Sequence, residues 1–444
     1  MAPVNPSSEV DLIRFDPYKQ SSMKTFKIQR KVRRTIKICA AVAMLFAACS
    51  QERLAAQVST GLDVLIAKNF EHLKGKRVGL VTNQTAVSKG GRTAIDAFRQ
   101  ASQVRLVALY GPEHGLDGKT PAGEYVATRK YKKTGLPVYS LYGSTRKPTQ
   151  EMLKGLDALV YDIQDIGCRS YTFISTMGLA MQAAAEAGID FYVLDRPNPL
   201  GGLRIEGPPL DPEYRSFVGQ YEIPYVYGLT PGELALLINH SKWMGGKPVS
   251  LHVVPMNGWT RNMVWEATGL RWVAPSPNIP TPMSARYYVA TGWMGESGGM
   301  SNGVGGNEPF AVVGGSGISP ERYADALNKL KLSGVSFQET VYRITQGKFK
   351  GGTVPSVRII FTDLEKANLT NLSPHLMSVW QKQSGLGLFR KSTAEKICMF
   401  NKVTGGTAVK RWLASGKSVE SLIASWQPSI TRFREERKAV LLYP

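Results

Sequence analysis

Three clusters of polar residues each follow a short apolar run, and their residue types could perform acid–base chemistry. Residues 111–115 read GPEHG, residues 164–171 read QDIGCRSY, and residues 195–199 read DRPNP. Carboxyl and imidazole groups transfer protons, and arginine holds carboxylates through paired hydrogen bonds. Acids beside arginines therefore indicate a general acid–base site for a polar, charged substrate. The candidate residues are Glu113, His114, Asp162, Asp165, Arg169, Asp195, Arg196 and Asn198.

Glu113 is the best single candidate for the acid. It lies between Pro112 and Gly115, on a backbone that must bend sharply. A lone histidine such as His114 is more often a hydrogen-bonded structural residue than a catalyst. Polar loop residues also cap helices and complete turns, so Asp165 and Asp195 could equally be caps or partners of arginine. The convergence of three such loops favours a site over this structural interpretation.

The elements that would bring these loops together alternate along the chain from about residue 60. Strands are predicted at Arg77–Thr82, Val104–Tyr110, Leu136–Tyr142, Asp157–Ile163, Asp190–Leu194 and Leu251–Pro255, and helices at Thr93–Ala101 and Tyr171–Ala187. Near-continuous apolar strands separated by helices are typical of a parallel sheet with both faces covered. The pattern predicts a doubly wound α/β fold, whose strands end at one edge, where ligands bind.

The length of 444 residues exceeds what one compact core usually holds. A Gly/Pro-rich stretch at Pro275–Gly317 precedes a helix that Ser319 and Pro320 should begin. We therefore expect a boundary near residues 290–318, which gives a catalytic domain at 57–300 and a smaller domain at 301–444. Upstream, Thr230 and Glu233 have the spacing of a helix capping box, which favours a structural role for Glu233.

The net charge of +21 has two sources. The first 49 residues carry +6 and the remainder carries +15, so the body of the chain favours an anionic partner. No run of Lys/Arg with interleaved aromatic residues appears in the body, so nucleic acid is not the expected partner.

The N-terminal segment, residues 1–56, has the pattern of an export signal. A basic stretch at Lys24–Lys37 is followed by the short apolar run Ile38–Ala48, and Cys49 follows as in a bacterial lipoprotein cleavage site. Ordinary cleavage near Leu54–Ala56 is the alternative, and Met23 could be the true start. We expect an exported protein, periplasmic or anchored by a lipid at Cys49, with no other membrane contact.

Other chemistries fit the sequence less well. There is no G-x-G-x-x-G after a strand, and the five histidines do not form an H-E-x-x-H motif. Neither a metal nor another cofactor is therefore expected. Residues 295–299 match the G-x-S-x-G nucleophile elbow, which makes Ser297, with His375 downstream, a weaker candidate for a serine esterase.

Seven segments together resemble the bacterial exo-β-N-acetylmuramidases of the NamZ family. These segments are VGLVTNQT (78–85), GPEHG (111–115), LPVYSLYGSTRKPT (136–149), LDALVYDIQDIGCRSYTFISTMG (156–178), VLDRPNPLGG (193–202), EGPPLDPEYRSFVGQYEIPYVYGLTPGELA (206–235) and WVAPSPNIPT (272–281). The resemblance implies a Rossmann-like domain with a smaller C-terminal α+β domain. It also implies release of N-acetylmuramic acid from the non-reducing ends of peptidoglycan fragments or muropeptides.

The resemblance also implies roles for individual residues. The glutamate of the family's PEHG motif, its proposed catalytic acid, falls on Glu113. The polar residues that would line the glycan pocket fall on Asp162, Gln164, Asp165, Arg169, Tyr171, Asp195, Arg196, Asn198 and Glu206. Arg169 and Arg196 would hold the lactyl carboxylate of the sugar. Asp165, Asp195 or the substrate's own acetamido group could act with Glu113.

One segment departs from the family pattern. Val304 stands where the family usually has arginine, and Gly306 where it has threonine. This departure supports an alternative hypothesis, in which the chain is a lipoprotein that binds wall glycan with altered specificity or without turnover.

Overall fold

The computed structural model describes residues 58–346 and 350–444 and centres on a seven-stranded sheet. Its strands are β1 (Arg77–Thr82), β2 (Arg105–Gly111), β3 (Arg129–Lys130), β4 (Pro137–Ser140), β5 (Ala158–Asp162), β6 (Asp190–Leu194) and β7 (Leu251–Val254). They lie in the order β3-β4-β2-β1-β5-β6-β7, and only the pairing of edge strand β3 with β4 is antiparallel. Without β3 this is the strand order of a Rossmann sheet, so the predicted doubly wound fold is confirmed.

Helices cover both faces of this sheet. Helices α1 (Gly61–Ala67) and α2 (Ala94–Gln100) pack on one face, α4 (Phe173–Ala187) and α5 (Pro231–Asn239) pack on the other, and the short α3 (Gln150–Leu153) precedes β5. Ala158 and Val160 of β5 belong to the core on the first face, and Leu159 and Tyr161 to the core on the second. Because strand side chains alternate, a sheet covered on both faces requires continuous apolar strands, as the sequence has.

The C-terminal part is a smaller α+β arrangement, as expected. Strands β8 (Val312–Gly314), β9 (Val335–Arg343) and β10 (Thr353–Phe361) form an antiparallel sheet with β10 in the centre. Its helices are α6 (Pro282–Thr291), α7 (Pro320–Asn328), α8 (Leu369–Ser384), α9 (Ala394–Thr404), α10 (Ala408–Ser415) and α11 (Val419–Glu436). Helix α6 packs against α8. The division of the chain at residue 300 stays a prediction.

Helix α5 begins with the predicted capping box. The Thr230 hydroxyl accepts a hydrogen bond from the Glu233 amide at 3.2 Å, and the Glu233 carboxylate accepts one from the Thr230 amide at 3.0 Å. The second carboxylate oxygen of Glu233 accepts from Arg261 Nη1 at 2.6 Å and from the Leu442 amide at 2.9 Å. The structural role of Glu233 is confirmed, and it includes holding the C-terminal tail.

The predicted export segment, residues 1–56 with Cys49, lies outside the described residues. Among the helices within 58–346 and 350–444, none has the length and apolar character needed to cross a membrane.

The buried ion pair between Arg261 and Glu233 yields a stability prediction. Replacing Arg261 with methionine leaves the carboxylate of Glu233 buried and without its guanidinium. Loss of one partner of a buried ion pair costs about 3–5 kcal/mol, and we expect the free energy of unfolding in urea to fall by that amount.

Arg77→Met is the matched control. Arg77 pairs with Asp157 at 2.9 Å, but both side chains are exposed, so little stability should be lost. Equal losses for the two variants would contradict the importance of burial.

Candidate active site

Glu113 lies at the carboxyl edge of the sheet, two residues after β2 ends. The chain reverses there, with His114 and Gly115 at φ of 68° and 78°, in the left-handed region. The Gly115 amide donates to the Pro112 carbonyl at 3.0 Å and closes the turn. The sharp bend expected at Glu113 is therefore present, and it includes a non-glycine residue in a conformation that favours glycine.

Three donors surround the carboxyl group of Glu113. Oε1 accepts from the Gly123 amide at 2.9 Å, and Oε2 accepts from the Thr172 hydroxyl at 2.6 Å. The Tyr142 hydroxyl also forms a hydrogen bond with this carboxyl group. Glu113 is only 8% exposed, but Gly123 belongs to an exposed loop. The carboxyl group therefore lies directly beneath the protein surface.

Tyr142 connects the acid to an exposed cation. Burial, together with the nearby Glu113 carboxylate, raises the pKa of the Tyr142 hydroxyl to about 12. Tyr142 is therefore a stable neutral hydrogen-bond donor at physiological pH. The guanidinium of Arg146 lies 4.9 Å from the centroid of the Tyr142 ring and 4.4 Å from that of Phe217.

His114 is adjacent to Glu113 but is held by the backbone. Its Nδ1 lies 2.7 Å from the Thr120 carbonyl oxygen, and its ring meets Phe173 edge-on at 6.5 Å between centroids. Since a carbonyl only accepts, Nδ1 carries the proton in this contact. This matches the structural role that is common for single histidines and leaves a catalytic role for His114 as a prediction.

Asp162 and Arg196 form a closed pair at the ends of β5 and β6. Arg196 Nε lies 2.5 Å from Asp162 Oδ1, and both terminal nitrogens lie 3.3 Å from the Val87 carbonyl oxygen. Burial raises the pKa of Asp162 despite the opposing charge of Arg196. Arg196 and Gln164 line a cavity of about 90 Å³, well below the roughly 300–1,000 Å³ of typical ligand pockets.

Asp165 is buried, and only one of its two carboxylate oxygens has hydrogen-bond partners. Its Oδ2 accepts from the Gly167 amide at 2.7 Å and from the Tyr227 hydroxyl at 2.6 Å. Burial raises the pKa of Asp165 to about 6. Gln164 beside it donates to the carbonyls of Asp165 and Pro197, so the amide joins two of the three polar loops.

Asp195 has four donors and therefore no oxygen free for a ligand. Oδ1 accepts from the amides of Arg196 and Gly232, and Oδ2 accepts from the hydroxyls of Thr230 and Tyr443, all at 2.6–2.9 Å. Burial raises the pKa of Asp195 to about 6. These bonds tie the end of β6 to α5 and to the C-terminal tail.

Arg169 is fully buried and bonds to the backbone. Its Nη1 donates to the carbonyls of Pro208 and Ile223, each at 2.7 Å, and its Nη2 donates to Val403 at 3.4 Å. Burial lowers the pKa of this arginine to about 10. The guanidinium presents no exposed donor to a substrate, which argues for a structural role. A cavity of about 720 Å³ near Pro208 and Gly405 does not include it in its lining.

The remaining predicted pocket residues are also buried. Asn198 bonds to the Leu229 carbonyl and the Leu200 amide, within its own turn and to the next loop. Glu206 pairs with Arg204 and accepts from the Thr370 amide at the start of α8. Tyr171 packs edge-on against Phe173, next to the Glu113 contact Thr172.

The structure thus separates the predicted residues into two groups. Glu113 and His114 lie beside Thr172, Tyr142 and Gly123, which the sequence analysis did not name as site residues. Tyr142 is in the segment LPVYSLYGSTRKPT and Thr172 follows QDIGCRSY directly, so their positions in those motifs were the available signal. The other predicted residues are buried and form hydrogen bonds inside the protein, but Asp162 Oδ2, Gln164 Oε1, Asp165 Oδ1 and Arg169 Nε are buried without a partner.

Two further sequence features can be located. The Ser297 hydroxyl is fully buried and donates to the Met294 carbonyl at 2.7 Å, at the end of a 3₁₀ turn instead of a strand-to-helix elbow, which argues against a nucleophile. Val304 is 40% exposed in the loop before β8. In residues 58–346 and 350–444, no cluster of three or more His, Cys, Asp or Glu could hold a metal ion.

The Rossmann-like sheet, the α+β part and the carboxyl site agree with the class that the comparisons define, the glycoside hydrolases. Residues 78–283 match the family model of the N-terminal part of the exo-β-N-acetylmuramidase NamZ, and residues 286–443 match that of its C-terminal part. The chain belongs to the NamZ family, as its motifs indicated.

Individual relatives agree with this assignment. The peptidoglycan β-N-acetylmuramidase NamZ of Bacillus subtilis is 41% identical over 387 residues, which cover 87% of this chain and 92% of the relative. Two crystal structures of DUF1343 family proteins from Bacteroides fragilis are similar, with TM-scores of 0.82 and 0.70 at 44% and 28% identity. Each comparison covers 87% of this chain and 99% of the other.

The raised pKa of Asp165 predicts a pH dependence of stability. The pKa is about 6 in the folded chain against an ordinary 3.8, so between these values the folded chain holds a proton that the unfolded chain has lost. Stability from this group therefore falls as the pH rises from 4 to 6. Asp165→Asn keeps an acceptor oxygen and removes the titration. Its free energy of unfolding in urea, measured relative to that of wild type, should therefore increase as the pH rises from 4 to 6.

Asp157→Asn serves as the control. The Asp157 pKa is lowered to about 2 by its hydrogen bonds with Arg77, so its titration lies below the tested range. If the free energies of unfolding of wild type and Asp165→Asn changed equally with pH, the prediction would be contradicted.

Proposed function

We propose that this protein is an exo-acting β-N-acetylmuramidase that releases N-acetylmuramic acid from peptidoglycan fragments, with Glu113 as the catalytic acid. The observation that carries the proposal is the carboxyl group of Glu113, positioned by three donors under an exposed loop at the ligand-binding edge of the sheet. Membership of the NamZ family supplies the substrate class.

Glu113 would donate its proton to the glycosidic oxygen as the bond to the anomeric carbon breaks. The hydroxyls of Thr172 and Tyr142 can each donate or accept a hydrogen bond. The carboxyl group can therefore keep its position both before and after it gives up the proton. Such fixed geometry lowers the cost of organising the transition state.

The second group in the reaction is best supplied by the substrate. Asp195 has four donors on its two oxygens, and Asp165 is only 3% exposed, with Oδ2 bonded to Gly167 and Tyr227. The acetamido oxygen of the sugar would attack the anomeric carbon while the leaving oxygen takes the proton of Glu113. Water would then open the cyclic intermediate, with the Glu113 carboxylate as base.

The test compares Glu113→Gln with wild type on a chromogenic N-acetylmuramic acid β-glycoside. Glutamine keeps the size and one acceptor oxygen but carries no transferable proton, so kcat should fall about 10²–10⁴-fold. Glu124→Gln, in the exposed loop beside Gly123, is the matched control and should keep full activity.

No release by wild type, or equal release by wild type and Glu113→Gln, would refute the proposal. Muropeptide that stays bound and intact through a long incubation with wild type would instead favour the non-catalytic glycan-binding alternative, which the exposed Val304 at a usual arginine position motivates.

We also propose export through residues 1–56, with periplasmic or lipid-anchored localisation. The basic stretch, the short apolar run and Cys49 support this proposal. Full-length chain expressed in bacteria should lose the segment and fractionate with the envelope. Mass spectrometry of the mature N-terminus should show a lipid on Cys49, and Cys49→Ala should abolish that modification. An unprocessed chain in the cytoplasm would contradict export.

A further inference from the structure

We infer that Arg146 binds the lactyl carboxylate of N-acetylmuramic acid and so distinguishes this sugar from N-acetylglucosamine. The inference rests on the proposed function and deepens it. The resemblance implied that Arg169 and Arg196 bind this carboxylate. In the structure, however, Arg169 is bonded to backbone carbonyls, and Arg196 is bonded to Asp162 and the Val87 carbonyl.

Two other arginines, one half-buried and one buried, are also engaged. Arg204 pairs with Glu206 and donates to the carbonyls of Ala367 and Leu364. Arg261 pairs with Glu233 and donates to the carbonyls of Gly202 and Gly228. A ligand carboxylate would have to displace these partners, and a buried guanidinium that loses its acceptor is costly.

Arg146 differs from these arginines in exposure and in bonding. It is exposed, and among residues 58–346 and 350–444 no acceptor takes a hydrogen bond or ion pair from it. Its guanidinium lies over the rings of Tyr142 and Phe217, at 4.9 Å and 4.4 Å from their centroids. A guanidinium that lies over aromatic rings is attracted to their faces and keeps its N–H groups available as donors. An oriented fork of donors is the geometry that holds a carboxylate at two points.

The position of Arg146 relative to Glu113 suits the substrate. One phenol ring, that of Tyr142, contacts Glu113 through its hydroxyl and Arg146 through its face. The guanidinium and the catalytic carboxyl group therefore both contact the same side chain, that of Tyr142. In N-acetylmuramic acid the glycosidic oxygen is on C1 and the lactyl ether is on C3 of the same pyranose ring, so the groups that bind them must also lie close together.

The neighbouring cation does not share this arrangement. Lys147 pairs with Glu186 on α4 at 2.5 Å, away from the aromatic pair. Lys147→Met therefore removes one positive charge from the adjacent residue without touching the proposed contact, which makes it a matched control.

The experiment measures binding and turnover for Arg146→Met, Arg146→Lys and Lys147→Met. Calorimetry compares free N-acetylmuramic acid with its lactyl methyl ester, which lacks the charge. Wild type and Lys147→Met should prefer the acid about 10–100-fold, the worth of a charged hydrogen-bonded contact, and Arg146→Met should bind both about equally. Arg146→Lys should recover part of the preference, since it restores the charge but not the fork.

Turnover provides the second readout. For Arg146→Met, kcat/KM on the N-acetylmuramic acid glycoside should fall by a similar factor, chiefly through KM, with the melting temperature unchanged. An Arg146→Met protein that keeps the full preference for the acid overturns the inference. Wild type that binds the acid selectively but releases no sugar would refute the proposed function while leaving the role of Arg146 supported.

Discussion

Every polar group buried at the carboxyl edge of the sheet needs a hydrogen-bond partner, because the surrounding core offers it no water. Asp195 meets this requirement with four donors, and the two terminal nitrogens of Arg169 meet it with three backbone carbonyls. Once their atoms are bonded in this way, such residues cannot serve a ligand without breaking the fold. A ligand can therefore bind only at the edge of this hydrogen-bond network, where Glu113 lies beneath an exposed loop.

The same buried bonds connect the two parts of the chain. Arg169 reaches Val403 at the end of α9, and Glu206 accepts from Thr370 at the start of α8. Tyr443, at the C-terminal tail, bonds to Asp195 at the end of β6. The polar loops thus act as the joint between the sheet and the C-terminal part. Rigid support of this kind is what a site needs if its acid is to stay within hydrogen-bond reach of a substrate.

The strand and helix pattern predicted most of the fold. The strand predicted at Asp190–Leu194 is observed with those bounds, and the capping box at Thr230 and Glu233 is present. These features depend on local signals, namely apolar runs and caps. The sharp turn at Glu113 was likewise readable from its proline and glycine. The bonding of the polar loops was not, since the partners of Arg169 lie as far away in the chain as Val403.

The sequence by itself determined the family, the doubly wound sheet and the placement of Glu113 after a strand, because motifs, apolar periodicity and turn residues are properties of neighbouring positions. Only the tertiary structure decided which charged residues are free. Arg146 and Arg169 are indistinguishable as residue types, yet one is exposed over two aromatic rings and the other is sealed among carbonyls. That difference comes from long-range packing, which sets both the water access and the hydrogen-bond partners of each guanidinium.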